Sequence, residues 1–115
     1  MIIKDVNDIP YEDTTGYTGV KKQILIGPGD GSNESVMRYF SIEPGGSTPY
    51  HRHDYPHLVK VEKGSGFVID ADGEEHQLNP GQFVFIGDNE IHGFKNVGKD
   101  SFDILCVVPG RGEKM

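Results

Sequence analysis

The chain has 115 residues, of which 16 are glycine and 7 are proline, and its formal net charge is −7. This length fits one domain with one modest core, and the acidic charge argues against nucleic acid and anionic membrane as partners. A single cysteine, Cys106, excludes an intramolecular disulfide, and the start of the chain lacks the apolar run of a signal peptide. We therefore predict a cytoplasmic protein.

Short runs of strand-forming residues alternate with turn clusters along the whole chain. The polar composition of residues 1–19 predicts an N-terminal arm. We expect a barrel or sandwich over about residues 20–109 and a polar, frayed tail over residues 110–115. The cluster Pro44-Gly45-Gly46 is expected to end the second strand. Closely spaced short strands of this kind are typical of an all-β single domain. The predicted strands are 20–26, 35–43, 58–63, 67–70, 75–78, 82–86, 92–95 and 102–108.

Three histidines, His51, His53 and His57, fall within seven residues. Alternate residues of an extended strand share a face, so the first two point the same way, and the third keeps that parity although a proline before it favours a bend. Neutral imidazoles aimed at one point bind divalent transition ions. Spacing alone leaves open that they are surface histidines of a polar loop. His92 adds a fourth imidazole from a distant strand, whereas His76 lies in a charged segment and is left out of the site.

At these histidines the sequence resembles the cupin family, over about residues 20–109. The first cupin motif, G-x5-H-x-H-x(3,4)-E-x6-G, is matched in spacing from Gly45 to Gly64, with His57 where the family usually has glutamate. The second motif, P-x-G-x2-H-x3-N, keeps its histidine and asparagine at His92 and Asn96 but lacks the proline and the first glycine. More narrowly, the chain is similar to the small four-histidine cupins, which are often manganese-bound dimers.

The resemblance implies an antiparallel double-sheet barrel, related to jelly rolls, that holds a metal inside one end. The implied ligands of one divalent transition metal ion are His51, His53, His57 and His92. Nitrogen ligands favour zinc, iron, nickel or copper, but the resemblance points to manganese or iron, which we place first. Four neutral histidines leave a divalent ion at +2, a stronger Lewis acid than a site with a carboxylate. A six-coordinate ion would keep two positions open to substrate, whereas a closed tetrahedral set would indicate structural zinc.

The last strand predicts the wall of a pocket. Asp103 is expected to face water, so the alternate residues of this strand point inward, close to the strand that carries His92. Such a pocket is mostly apolar and suits a small organic substrate. Cys106 is expected to act as a small buried hydrophobe, and the two tyrosines beside the ligand loop are expected to bond substrate or to cover the barrel mouth. The predicted pocket residues are Tyr50, Tyr55, Phe94, Ile104, Cys106 and Val108.

Three functions remain open at this point. The favoured one is a metal-dependent oxygenase that acts on a small organic substrate. The alternatives are a non-redox isomerase or lyase, which needs a general base that the sequence does not identify beyond the two tyrosines, and a non-catalytic module that binds a small ligand or senses metal. A homodimer is expected, because Leu105 and Val107 would otherwise be exposed on an outer sheet face.

Overall fold

The computed structural model describes residues 1–12 and 14–113. Within this part of the chain every strand pairing is antiparallel, and the helices are three single turns of 3-10 type. None of these helices approaches the length and apolarity needed to cross a membrane. The all-β prediction is confirmed. The strands are β1 (Thr18–Ile26), β2 (Ser35–Ser47), β3 (His57–Lys63), β4 (Gly66–Ile69), β5 (Glu75–Leu78), β6 (Phe83–Ile86), β7 (Gly93–Lys95) and β8 (Phe102–Pro109).

The eight strands form one curled sheet in the order β5-β4-β7-β2-β8-β3-β6, with β1 paired to β2. β2 has thirteen residues and contacts three strands: β1, β8 along its first part and β7 near its end. This long strand therefore joins the two halves of the barrel. The sequence predicts each strand to within a few residues, since turn clusters bound nearly all of them.

The core lies between the inward faces of β2, β3 and β8. Burial alternates along β2, as expected for a strand with one face toward the core. On β8, the prediction that Ile104, Cys106 and Val108 point inward is confirmed, since each is about 2% exposed. The prediction that Asp103 faces water is wrong, because this residue is buried and accepts a hydrogen bond from the Tyr39 hydroxyl at 2.8 Å. A polar side chain can be buried when neighbouring donors satisfy it.

The second strand does not end at the Pro-Gly-Gly cluster, as the sequence predicts, but continues to Ser47. Gly45 has a positive φ of 82°, which glycine adopts without strain. Gly45 and Gly46 keep their backbone pairing through Asn96, which accepts a hydrogen bond from the first and donates one to the second. The Asn96 side chain in turn bonds the Ile42 and Asp100 carbonyls. Asn96 therefore orients the loop that follows β7.

Both ends of the described chain are attached to the barrel. In the arm, the carbonyls of Val6 and Ile9 accept hydrogen bonds from the buried Gln23 amide of β1. The tail is not frayed over residues 110–113, in contrast to the sequence expectation. A 3-10 turn, Gly110–Gly112, leads to Glu113, whose carboxylate is paired inside the protein. Residues 114 and 115 of the predicted tail lie outside the described part.

Candidate metal centre

Three of the predicted ligands converge at one end of the barrel. His51 and His92 lie opposite each other and exchange both backbone hydrogen bonds, at 3.0 and 2.9 Å. His53 follows two residues after His51, and its ring centroid is 5.0 Å from that of His92. One ring nitrogen from each of the three histidines lies within 4.8 Å of the others. His51, His53 and His92 are therefore positioned to hold a metal ion.

Hydrogen bonds orient the rings of this group. His53 Nδ1 lies 3.1 Å from the Tyr55 carbonyl, and His92 Nδ1 lies 2.8 Å from the Glu90 carbonyl. A carbonyl only accepts, so each Nδ1 carries the proton and each Nε2 keeps its lone pair for another partner. Burial lowers the pKa of His51, His53 and His92 below the ordinary histidine value. The three rings are thus neutral near pH 7, which is the form that ligates metal.

His57 lies at the start of β3, next to this group. Its Nε2 is 2.6 Å from His53 Nε2, and its Nδ1 is 2.9 Å from Cys106 Sγ. Burial, followed by the neighbouring His53, lowers the pKa of His57 to about 2. Two imidazole nitrogens at this separation share either a proton or a cation. The donor set therefore fits a transition metal, and His57 is adjacent to it.

A small cavity of about 30 Å³ adjoins the histidines, enough for one or two water molecules. Among the predicted pocket residues, Phe94, Ile104 and Cys106 line it together with His51 and His92. The remaining predicted pocket residues lie elsewhere.

Val108 is buried in the core without lining this cavity. Tyr55 is half-buried and stacks on the His53 ring, with centroids 4.0 Å apart. Tyr50 is 50% exposed and donates its hydroxyl proton to the Asp70 carbonyl. Neither Tyr50 nor Val108 lines this cavity, since the Tyr50 hydroxyl bonds a backbone carbonyl and the Val108 side chain packs into the core.

Arg38 is the main residue of this region that the sequence analysis missed. It lies on β2 directly opposite Cys106 of β8 and is 5% exposed. Its Nη2 donates to Cys106 Sγ at 3.3 Å, and its Nη1 donates to Glu113 at 3.1 Å. Burial raises the pKa of the Cys106 thiol, so Cys106 is a neutral thiol that contacts polar groups and not only hydrophobic ones. An arginine in phase with the apolar residues Val36 and Phe40 is the sequence signal that could have identified it.

A second group that could hold a metal ion lies on the surface and contains His76, which the sequence analysis set aside. His76, Glu74 and Asp70 approach one another there, with His76 Nε2 2.8 Å from an Asp70 carboxylate oxygen. Exposed acidic groups of this kind are common without a bound ion. The His76–Asp70 hydrogen bond raises the pKa of His76.

We expect an NMR titration to give His76 a pKa above the ordinary 6.5 and to show the Asp70→Asn variant returning toward that value. Because the folded pKa is raised, the ion pair contributes at pH below 6.5 and is lost as the pH rises through the raised value. An unshifted His76, or a shift that survives the Asp70→Asn substitution, would contradict this assignment.

Comparison with known proteins identifies the family of this fold. The Cupin domain family pattern matches residues 38–108, more than half of the chain. The chain belongs to the cupin family. The crystal structure of the polyketide cyclase RemF from Streptomyces resistomycificus is similar to this cupin with a TM-score of 0.91 and 30% identity, over 96% of this chain and 80% of that one. The predicted barrel architecture is confirmed.

Two further relatives are similar in sequence. Auxin-binding protein 1 of Arabidopsis thaliana is 28% identical over 93% of this cupin and 58% of its own length. The 1-methylthio-D-xylulose 5-phosphate methylsulfurylase of Rhodospirillum rubrum is 26% identical over 90% of this cupin and 64% of its own length. The chain thus spans about three fifths of the curated relatives it matches. The three names cover a cyclase, a binding protein and a sulfurylase, and fold alone does not choose among them.

Proposed function

We propose that this cupin is a metal-dependent enzyme that acts on the carbonyl group of a small organic substrate. The observation that carries the proposal is the convergence of His51, His53 and His92 beside an internal cavity. A divalent ion held there supplies Lewis-acid polarisation of a carbonyl oxygen. The likeness to a polyketide cyclase supports this class, in which carbonyl groups of the substrate react. Phe40 and Phe94 line the cavity and limit the access of water to it.

His57 is the proposed fourth ligand. Its Nδ1 lies beside Cys106 Sγ, and a proton on that nitrogen leaves Nε2 free to face the same point as His53 Nε2. Cys106 then orients the His57 ring in the way that carbonyls orient His53 and His92. Four nitrogen ligands suit iron, zinc, nickel or copper, and likeness to four-histidine cupins keeps manganese and iron first.

The oxygenase predicted from the sequence is the second candidate function. The mainly apolar side chains Phe40, Phe94 and Ile104 line the cavity, and its lining contains no carboxylate that would serve as a general base among the described residues. A cavity lining without a carboxylate suits chemistry in which the bound ion, and not an acid–base pair, activates the substrate. The two candidates differ in their need for dioxygen.

A β-diketone separates the two candidates, because its two oxygens make it a bidentate probe. We would incubate iron- or manganese-reconstituted protein with 1-phenylbutane-1,3-dione under nitrogen and under air. Exchange of the protons between its two carbonyls for deuterium under nitrogen, faster than with His92→Ala protein, supports carbonyl polarisation. Oxygen consumption coupled to loss of the diketone supports the oxygenase. Neither effect in protein that has been shown to bind metal contradicts both enzyme functions and leaves the ligand-binding module.

A homodimer is proposed from the outer face of the sheet. Strand registers place Leu58 beside both Phe85 and Val107, and Val107 beside Met37. Cross-strand neighbours share a face, so these side chains form one apolar row, in which Phe85 is 67% exposed. The charges nearby, Lys60 and Glu62, have opposite signs and lie 3.6 Å apart, so this face carries no net charge that would oppose its pairing with a second copy. A second copy of the chain is therefore the occupant that we infer.

We expect light scattering to give the mass of a dimer for the wild-type protein and of a monomer for the Phe85→Glu variant, because a buried glutamate without a partner opposes association. Val97→Glu is the matched control, since Val97 is similarly exposed, at 65%, but lies in the loop between β7 and β8. A monomeric wild-type protein, or equal masses for both variants, would contradict the proposal.

A further inference from the structure

The ion pair between the tail and the barrel lies in a second, larger cavity. This outer cavity has a volume of about 360 Å³ and is lined by Tyr17, Lys22, Arg38, His51 and Glu113, among others. Its size falls within the range of about 300–1,000 Å³ found for small-molecule sites. Tyr17, Arg38 and His51 line both this cavity and the small one beside the histidines. A molecule in the outer cavity is therefore adjacent to the candidate metal centre.

Two cations face one carboxylate in this cavity. Glu113 binds Lys22 Nζ through one oxygen at 2.6 Å and Arg38 Nη1 through the other at 3.1 Å. All three side chains are nearly buried, with 6 to 12% of each exposed. The other acidic residue of the lining, Glu12, is exposed to solvent. Among the described residues that line the cavity, removal of the Glu113 carboxylate would thus leave no buried anion beside the two desolvated cations, which is unfavourable unless another anion replaces it.

Arg38 also has a donor, its Nε–H, that no described residue pairs with. Its Nε is buried and has no hydrogen-bond partner among the described residues. A buried donor left without a partner costs about 1–3 kcal/mol, so native proteins rarely keep one without a water, an ion or a ligand beside it. This observation is independent of the ion pair and points to an additional group near the guanidinium.

The residue that fills the position is the one member of this trio that lies outside the sheet. Glu113 follows the single 3-10 turn Gly110–Gly112 and makes no strand pairing, whereas Lys22 and Arg38 belong to β1 and β2. The turn passes close to Tyr55, since a Cβ on Gly112 would lie 2.7 Å from that ring. Because this packing holds the turn in place, rotation of the Glu113 side chain alone would expose the two cations without changing the sheet.

We propose that Lys22 and Arg38 form a binding site for the carboxylate of an organic ligand, and that Glu113 occupies this site until the ligand displaces it. A carboxylate is the class indicated, because a carboxylate already spans the two cations with one oxygen on each. The apolar body of such a ligand would contact Tyr17 and Tyr55, which also line the cavity. The inference extends the proposed function by naming a substrate class, and it rests on that function only for the reaction that follows binding.

The test is calorimetric titration of chelator-treated, full-length protein with benzoate, with neutral benzamide as the matched ligand. We expect benzoate to bind at least fivefold more tightly to Glu113→Gln protein, because a competing carboxylate has been removed. Lys22→Met should lower the affinity for benzoate at least tenfold. Lys21→Met changes an exposed neighbour outside this cavity and should leave that affinity unchanged. We substitute Lys22 and not Arg38, because the loss of the more deeply buried Arg38 side chain would unfold the protein. NMR should show the Arg38 Nε–H signal shifting with benzoate.

Several outcomes would overturn the inference: benzoate affinity that is the same in Glu113→Gln and wild-type protein, no loss with Lys22→Met, or benzamide binding as tightly as benzoate. Inorganic phosphate binding more tightly than benzoate, with the same dependence on Lys22, would overturn the carboxylate assignment in favour of a phosphate. No metal is present in these titrations. A failure here is therefore distinct from a failure of the metal-dependent function, which would show as a lack of metal binding.

Discussion

Replacing His92 by alanine is expected to weaken the binding of a divalent transition metal ion by more than about 100-fold, since loss of an orienting partner of a ligand alone costs about 10- to 100-fold. His92 lies opposite His51 across a backbone bridge, so the substitution removes one nitrogen from the converging group and leaves the backbone pairing in place. Competition titration with a chelator of known affinity measures the change.

His76→Ala is the matched control for this experiment, because it removes an imidazole from the exposed group with Asp70 and Glu74. We expect it to leave the affinity unchanged. Equal losses in both variants would indicate nonspecific binding of metal to histidines. A loss confined to His76→Ala would move the metal site to the surface group.

The second large effect concerns stability and the last glycine of the first cupin motif. A Cβ on Gly64 would lie 2.0 Å from the Ser101 carbonyl oxygen, and the residue has a positive φ of 72°. The backbone conformation costs about 1–2 kcal/mol for a residue with a side chain, and overpacking against a neighbour adds about 1–3 kcal/mol. We expect Gly64→Ala to lower the free energy of unfolding by about 3 kcal/mol or more, measured by urea denaturation of metal-free protein.

Gly73→Ala separates the two contributions to this loss. Gly73 also has a positive φ, of 81°, but a Cβ there meets nothing within 4 Å, so its substitution carries only the conformational cost of about 1–2 kcal/mol. If the two variants lose equal stability, the close approach to Ser101 does not explain the motif glycine. If the Gly64→Ala variant is as stable as the wild-type protein, the β3–β4 turn does not pack against the chain that leads into β8 as described.

Much of the fold could be predicted because turn chemistry and strand alternation are local. Strand β5 begins and ends where its flanking turns predict, and Cys106 points inward as the alternation on β8 requires. The extension of β2 through Gly45 could not be predicted in this way, because it depends on pairing with Asn96, fifty-one residues along the chain. Asp103 was misplaced for the same reason, since its burial depends on the hydroxyl of Tyr39 from another strand.

In the candidate site, too, the residues marked by a local motif could be predicted and those joined only by long-range contacts could not. The resemblance to the two cupin motifs implied its histidines as metal ligands, which their spacing alone left open, and the structure brings His51, His53 and His92 together. Arg38 and Glu113 were not predicted, because their ion pair joins residues seventy-five positions apart and no motif marks either one. Tyr50 was assigned to the pocket from its place beside the ligand loop, but its hydroxyl reaches the Asp70 carbonyl. Neighbours in sequence do not have to point into the same cavity.

We propose that this cupin holds a divalent transition metal ion on four clustered histidines. The most direct test is a crystal structure of the metal-reconstituted protein with diffraction data collected on either side of the absorption edge of the metal. We expect one anomalous peak per chain, about 2.0–2.3 Å from a nitrogen of each of His51, His53, His57 and His92. An absence of density there in protein that carries stoichiometric metal, or a peak between Asp70 and His76, would contradict it.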